Sequence, residues 1–252
     1  MSDSIRPAGG DTATPLNLSK RIAYIVGAVG SLDGSRFIDC GCGRGEYVAR
    51  LRDAGAHAVG IEIAADKLRD AAAGRAAACV ARGDIQNLPF HSLSFDLALV
   101  NEVLEHVPDD LAGLREVHRV LRPDGRAVVF SPNRLYPFET HGVYWRGSAR
   151  RVSHAAPGIP WLPLPLGRLV FRYWARNYWP WQLRGLARRA GFEIVHTAYV
   201  WQTFENISGR QPAWMRRVSG VLRRLAGVLE GLPLLRVFGV SQVLVLRRPV
   251  GS

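Results

Sequence analysis

Cysteine, lysine and long apolar runs are what this 252-residue chain has least of. Its three cysteines, Cys40, Cys42 and Cys79, are too few for a disulfide framework. Cys40-x-Cys42 also lacks a second pair at metal-ligand spacing. A cysteine zinc site is therefore disfavoured, no metal site is read from the sequence, and the sparing use of thiols fits a reducing, cytoplasmic setting. No apolar stretch reaches the ~18 residues that cross a bilayer. Residues 1–16 are largely polar, rich in Gly, Thr and Pro, and lack the apolar block of a secretory signal; they read as a flexible arm. No internal repeat or low-complexity tract is visible.

Acidic residues are scarce too, but in one part only. Residues 141–252 hold 17 Lys or Arg against 3 Asp or Glu, a net +14, whereas residues 1–140 carry a net −2. Such asymmetry points to an anionic partner: a phosphorylated or pyrophosphate-linked small molecule, an anionic membrane surface, or nucleic acid. Lys20 and Lys67 are the only lysines, so arginine is the default cation here and part of the excess is solvated surface. That preference explains the choice of arginine but not the lack of acids.

What the chain has in abundance is apolar residues, 48%, ample for a core, and glycine at one revealing place. Phe37, Ile38 and Cys40 read as the end of a buried strand, and Tyr47-Val48-Ala49-Arg50-Leu51 begins a helical pattern. Between them stand Gly41, Gly43 and Gly45. Glycines at a strand-to-helix junction leave out the Cβ atoms that would hold a ligand off the backbone, and leave the first helical amides free to face it. A dinucleotide fingerprint counted from Gly41 would place a third small residue where this chain has Glu46, whose carboxylate would face a pyrophosphate, so NAD and FAD are disfavoured.

The pattern Asp39-x-Gly41-x-Gly43-x-Gly45 resembles motif I of the class I S-adenosylmethionine-dependent methyltransferases. Four further segments resemble that family in order. Ala58-Val59-Gly60-Ile61-Glu62 places an acid where ribose hydroxyls are held, and Gly83-Asp84-Ile85 is similar to the segment around the adenine. The stretch from Phe95 to Val107, with Leu88-Pro89-Phe90 before it, resembles the subgroup that includes ubiquinone and sugar methyltransferases. So does Leu121-Arg122-Pro123-Asp124-Gly125, with Asp124 where a second glycine is commoner. The resemblance implies a doubly wound, Rossmann-like α/β fold with a seven-stranded, mostly parallel sheet and an antiparallel last strand at Ser241–Arg247. It implies S-adenosyl-L-methionine as cofactor, held by Asp39, Gly41, Cys42, Gly43, Gly45, Glu62, Ile63, Asp84, Ile85, Asn101 and Glu102. The plain alternatives are that Asp39 caps the turn, Glu62 is a solvated strand end and Asp84 a turn residue. Glu105 and His106 are assigned to the helix after the fourth strand.

One methyltransferase domain over 17–252 is expected, with 131–180 and 201–238 as substrate-cap insertions. From Asn17, Leu18, Ile22, Ile25, Val26 and Val29 recur at helical spacing. The first insertion gathers aromatic, acidic and imidazole groups at the carboxyl end of a strand, where open α/β sheets bind ligands. His141 is the candidate base for taking a hydroxyl proton, with Glu139 as its orienter or an alternative base, and internal loop packing as the other reading. The same question attaches to His106 and His154. Pro157–Trp181 is apolar enough for a lid, a lipid contact or a membrane-interface segment, with plain core packing of the lid as the equal alternative and a short helix expected over 166–176. Ala213–Leu229 carries an apolar stripe with arginines on other faces, read as a cap on the sheet before a membrane-surface helix.

These readings together favour O-methylation of a hydroxyl on a small or lipid-linked anionic glycan or similar metabolite. A quinone or other small aromatic acceptor is the rival enzyme reading. A membrane-associated or scaffolding protein without turnover is the rival outside enzymology. Nucleic acid is disfavoured for want of a recognised module. The expected location is cytoplasmic, with peripheral contact at the inner face of the membrane as an option.

Overall fold

The computed structural model describes residues 16–152, 156–204 and 213–251. Met1 to Pro15 of the expected arm, His154, and the side chains of Trp214 and Met215 lie outside the described residues.

Helix α1 (Leu16–Val29) precedes β1 (Arg36–Cys40), α2 (Glu46–Asp53), β2 (His57–Glu62), α3 (Ala65–Ala72), β3 (Val80–Arg82), β4 (Phe95–Asn101), α4 (Asp110–Val120) and β5 (Leu121–Pro132). The chain continues through β6 (Val143–Trp145), α5 (Leu164–Val170), β7 (Phe171–Tyr173), α6 (Pro180–Arg189), β8 (Glu193–Val200), α7 (Ala213–Gly231) and β9 (Ser241–Arg247). Seven strands form one sheet in the order β3-β2-β1-β4-β5-β9-β8, parallel except for β9, which runs antiparallel to both β5 and β8. This is the expected fold class.

The central strands read as unbroken apolar runs because both faces are covered. Ile38, Ala98 and Val129 point into one core, shared with Leu114 and Val117 of α4 and Leu183 of α6. Phe37, Leu97, Leu99 and Val128 point into the other, shared with Ile25 of α1 and Val48 and Leu51 of α2. From β1 the chain steps outward to β2 and β3, then returns across β1 to β4. The carboxyl ends of β1 and β4 therefore open into the crevice at the reversal of strand order. Asp124 adopts φ +64° at the irregularity entering β5, a conformation that Asp tolerates better than most side chains, which explains its standing in for a glycine.

Three local expectations are corrected. Glu105 and His106 lie in a turn, not a helix: the His106 amide donates to the Val103 carbonyl at 2.9 Å and α4 begins only at Asp110. Pro108 pushes the residue before it away from helical geometry, and Asp109 caps the helix by accepting from the Ala112 amide at 2.9 Å. The helix expected over 166–176 spans Leu164–Val170, with Pro165 in its first turn where a missing N–H costs nothing, and the next three residues form β7, paired antiparallel with β6. Finally, α7 does not lay its stripe on the sheet. Ala226 is buried, but Val221, Leu225 and Val228 stay 52–68% exposed.

Candidate active site

The glycine turn after β1 is built by backbone bonds to the neighbouring strand. The amides of Gly41 and Cys42 both donate to the Ile61 carbonyl, at 2.7 and 2.9 Å, and Gly41, Gly43 and Gly45 all have positive φ. Their roles diverge. A Cβ on Gly41 would lie 2.4 Å from Val103 Cγ2, and one on Gly45 would lie 2.6 Å from the Ala76 Cβ, so those two are required by packing. A Cβ on Gly43 would meet nothing within 4 Å, leaving open space above that backbone. Cys42 turns its sulfur toward Gly60 of β2, and burial pushes its thiol up to about 12, so only its backbone serves the turn.

Beside this turn lies a cavity of about 580 Å³, whose walls include Gly41, Glu62, Ile63, Asp84, Ile85 and Glu102. Glu62, at the end of β2, accepts from the Gly43 amide at 2.9 Å and the Ala64 amide at 2.8 Å, which fixes its carboxylate at the mouth of the turn with lone pairs to spare. Asp84 accepts from the backbone and side chain of Gln86 at 2.9–3.2 Å and is partly engaged already. Asp39 is 1% exposed, and neither carboxylate oxygen has a hydrogen-bond partner. Burial, with Glu62 nearby, pushes its carboxyl up to about 8. A cationic donor such as the methionine ammonium of S-adenosylmethionine is the partner this orphaned acid lacks, and the residues present fit that cofactor.

Two of the expected cofactor residues serve another arrangement. Arg21 of α1, 6% exposed, donates to Asn101 Oδ1, to Glu102 Oε1 at 2.9 Å and to the Ser241 hydroxyl at 2.9 Å. The Ser241 hydroxyl in turn donates to Glu102 Oε1 at 2.6 Å. Asn101 is thereby occupied by Arg21, while Glu102 also lines the smaller cavity. Burial opposes the charge on Glu102, but Arg21, His141 and Ser241 together hold its carboxyl well below the usual range.

A second cavity, of about 1010 Å³, adjoins the first through shared walls at His106, Val107, Pro108 and Trp174. Five arginines line it, Arg146, Arg168, Arg172, Arg176 and Arg189, together with Phe171 and Tyr173. At the junction, His141 Nε2 lies 3.4 Å from Glu102 Oε2 and 3.4 Å from Glu105 Oε1, and the His106 and His141 rings stand 5.4 Å apart. Glu105 is 2% exposed, and neither of its oxygens makes a hydrogen bond.

The electrostatics of this cluster correct the role expected of His141. Burial works against a charged imidazole, yet Glu102 and Glu105 push it up to about 10. Both carboxylates thus favour the charged imidazole, which makes His141 a poor proton acceptor, and it lines neither cavity. Burial pushes Glu105 up to about 7, partly countered by His141, and burial with His141 holds His106 down to about 4. Glu139 is corrected as an alternative base. Its oxygens accept from the His141 backbone amide at 2.9 Å and from Asn177 Nδ2 at 2.7 Å, so it braces the loop and orients His141 through the main chain. Sequence reasoning missed Arg21 and assigned Glu105 and His106 to packing; the acid–x–x–acid–His spacing of Glu102, Glu105 and His106 was the available signal.

Comparison with known proteins follows the same lines. Residues 38–129 match the methyltransferase domain family. The chain is 38% identical over 98 residues to a malonyl-[acyl-carrier protein] O-methyltransferase of Erwinia billingiae, covering 39% of each chain. It is 35% identical over 136 residues to a demethylmenaquinone methyltransferase of Beutenbergia cavernae, covering 53% of this chain and 57% of that one. It thus spans from about two-fifths to under three-fifths of these two relatives' lengths. A crystal structure of an S-adenosylmethionine-dependent methyltransferase from Mesorhizobium loti superposes with a TM-score of 0.58 at 20% identity, covering 90% of this chain and 96% of that one. The chain is thus similar to the methyltransferase domain family over residues 38–129, and its fold is similar to that of the solved S-adenosylmethionine-dependent methyltransferase.

Proposed function

We propose that this protein transfers a methyl group to an oxygen of an anionic acceptor, a small or lipid-linked glycan or similar metabolite, bound in the arginine-lined cavity. The observation that carries the reading is the direct junction of that basic cavity with the smaller one beside the glycine turn. S-adenosylmethionine supplies an electrophilic methyl group on a sulfonium. Asp39 would hold its ammonium, Glu62 its ribose hydroxyls, and Asp84 and Ile85 its adenine. Arg168, Arg172 and their neighbours hold the acceptor's negative charge and orient it. Glu105, which lines the acceptor cavity and whose two buried oxygens make no hydrogen bond, would receive the hydroxyl proton as the acceptor oxygen takes the methyl group. His141 and Glu102 position Glu105.

Two relatives bear on the acceptor. One is named for O-methylation of malonyl-[acyl-carrier protein], and the other for demethylmenaquinone. The aromatic walls at Phe171, Tyr173 and Trp174 support the quinone as the second reading. Exposed Leu166 and Leu169 of α5, beside Arg168, support a lipid-linked substrate met at a membrane surface. Among the described residues no helix is long and apolar enough to cross a membrane.

Calorimetric titration with S-adenosylmethionine, repeated on Glu62→Ala and Asp84→Ala, tests the cofactor half. An acceptor screen at low and high salt tests the other half. Turnover of an anionic acceptor that falls with salt supports the proposal; salt-independent turnover of a neutral ring supports the quinone reading. Cofactor binding without turnover of any acceptor class supports a protein that keeps the fold as a scaffold.

A further inference from the structure

We infer that Arg146, Arg168 and Arg172 form a phosphoryl subsite in the larger cavity, so that the acceptor is a phosphate or diphosphate ester whose ring lies over Trp174. This is the acceptor half of the proposed function, and the subsite's part in catalysis rests on that reading. Residues 140–192 hold nine arginines and no Asp or Glu, and the β6–β7 pairing gathers three of the nine on one wall of the cavity. Tyr144 pairs with Arg172, and the ladder runs one residue past β6, because the Arg146 amide donates to the Val170 carbonyl at 2.8 Å. Residues two apart share a face of a strand, so Arg146 and Arg172 are diagonal neighbours and stand roughly 7–8 Å apart, within reach of long side chains. Arg146 Nη1 donates to the Arg168 carbonyl at 2.9 Å, which holds its guanidinium against the end of α5. The Arg172 guanidinium lies 5.3 Å from the centre of the Tyr144 ring; stacking occupies its face and leaves its N–H edge to donate.

Three cations drawn together by the backbone repel one another, and the cavity's own acids do not relieve them. Among the described residues those acids are Glu105 and Asp110; the first stands 3.4 Å from His141, and the second pairs with Arg176 at 3.2 Å. The number of cations decides the class of anion. A carboxylate brings a single charge and one planar edge, which one guanidinium fork fills. A phosphate ester brings about −1.5 to −2 and three terminal oxygens pointing in different directions, and a diphosphate brings more, which is what forks arriving from three elements can meet. Trp174 supplies the second observation. It stands where the two cavities meet, its amide donates to the Gly142 carbonyl at 3.2 Å, and yet its side chain is 67% exposed. An indole held at that junction and left uncovered offers a face on which a sugar or other ring can lie. The phosphoryl group then sits at the hairpin wall, the ring at Trp174 and the reacting hydroxyl beside the smaller cavity, so that binding energy gained far from the methyl group orients the oxygen.

The test is calorimetric titration of the full-length protein with inorganic pyrophosphate, inorganic phosphate and, as the carboxylate control, malonate. Pyrophosphate should bind one to one, at least about tenfold tighter than malonate, and more weakly as salt is added. Arg168→Lys and Arg172→Lys keep the charge and lose the fork, so each should weaken pyrophosphate at least about fivefold. Arg188→Lys, exposed on α6 outside the cavity, should change nothing. All three positions are exposed, and a thermal melt checks that the variants stay folded. Pyrophosphate binding no tighter than malonate, or unchanged in both cavity variants, overturns the subsite. Glucose 1-phosphate binding tighter than phosphate upholds it with a soluble ester as the source, and geranyl diphosphate binding tighter than pyrophosphate upholds it with a lipid-linked one. Trp174→Ala should remove that gain and leave inorganic pyrophosphate unchanged; a gain that survives overturns the role of Trp174. Pyrophosphate binding without turnover of any phosphate ester overturns the methyl-transfer reading of this cavity alone, and turnover of a carboxylate or neutral acceptor without pyrophosphate binding overturns the subsite alone.

Discussion

Replacing Asp39 by asparagine should stabilise the empty protein and cripple it toward its cofactor, and pH separates the two effects. Asp39 is buried, unpartnered and pushed from 3.8 up to about 8 by burial, with Glu62 adding to the shift. Because the folded-state value is raised, the proton is held more tightly by the native protein than by the unfolded chain. Below about pH 4 both states are protonated and the side chain is neutral to stability. As pH rises toward 8 the unfolded chain ionises and the folded one does not, so stability falls across that window and levels off above it. At 1.36 kcal/mol per pKa unit the whole loss is on the order of 3 to 6 kcal/mol. An asparagine at this position does not titrate and has no such slope. Urea unfolding at pH 5, 7 and 9 should therefore show Asp39→Asn gaining on wild type by several kcal/mol between the first and last points. Cofactor affinity should move the opposite way, falling about tenfold or more with the loss of one charge-assisted hydrogen bond worth about 1.5–3 kcal/mol. At pH 7 wild-type binding should also release a proton, read from the dependence of calorimetric heat on buffer. Parallel stability profiles for the two proteins, or unchanged affinity, would refute the reasoning.

Other perturbations follow from the same geometry. Gly43→Val places its side chain in the open space over the turn, so S-adenosylmethionine binding should vanish, as calorimetry will read, while stability falls only by the ~1–2 kcal/mol of a left-handed φ. Gly41→Val should instead unfold the protein, because its Cβ meets Val103 at 2.4 Å; equal effects from the two would sink the distinction. Arg21→Met leaves Glu102 with its main cation gone and should cost about 2–3 kcal/mol, a drop of roughly 5–10 °C in a thermal melt. Arg168→Ala combined with Arg172→Ala should raise KM for an anionic acceptor about tenfold and leave cofactor affinity unchanged, with added salt reproducing the effect on wild type.

The half of the site proposed to hold the cofactor was legible because it is local. Asp39 to Gly45, Glu62 and Asp84 each sit at or just beyond the end of a strand whose apolar run announces it, and the sheet brings those ends together whatever the loops do. Arg21 was not legible for the converse reason. It reaches Asn101 and Glu102 from a helix some 80 positions away, and nothing in the periodicity of α1 marks one of its arginines as buried. The basic cavity is similar: the charge excess of residues 141–252 was plain, but its convergence depends on the β6–β7 pairing and on α6, which composition does not specify. The α7 stripe misled because amphipathic spacing says that a face is apolar and not that this chain covers it.

His141 shows where a sequence argument could have gone further. Glu139 was chosen as its partner because it stands two residues away. Within a tight loop that proximity works against the pairing: the Glu139 carboxylate is spent on the His141 backbone amide at 2.9 Å, and the imidazole is left to reach another element. Which element follows from topology alone. β4 and β5 are parallel neighbours, with Asn101 opposite Phe130, so segments leaving their carboxyl ends emerge side by side. Residues just past Asn101 and those in the loop after β5 must therefore compete for the same space above the sheet. The residues past Asn101 that bear titratable chemistry are Glu102, Glu105 and His106, and those are the three found around His141. Chemistry-bearing residues that follow adjacent parallel strands are better candidates for a common site than residues adjacent in the chain, because the sheet fixes the first relation and a single turn can undo the second.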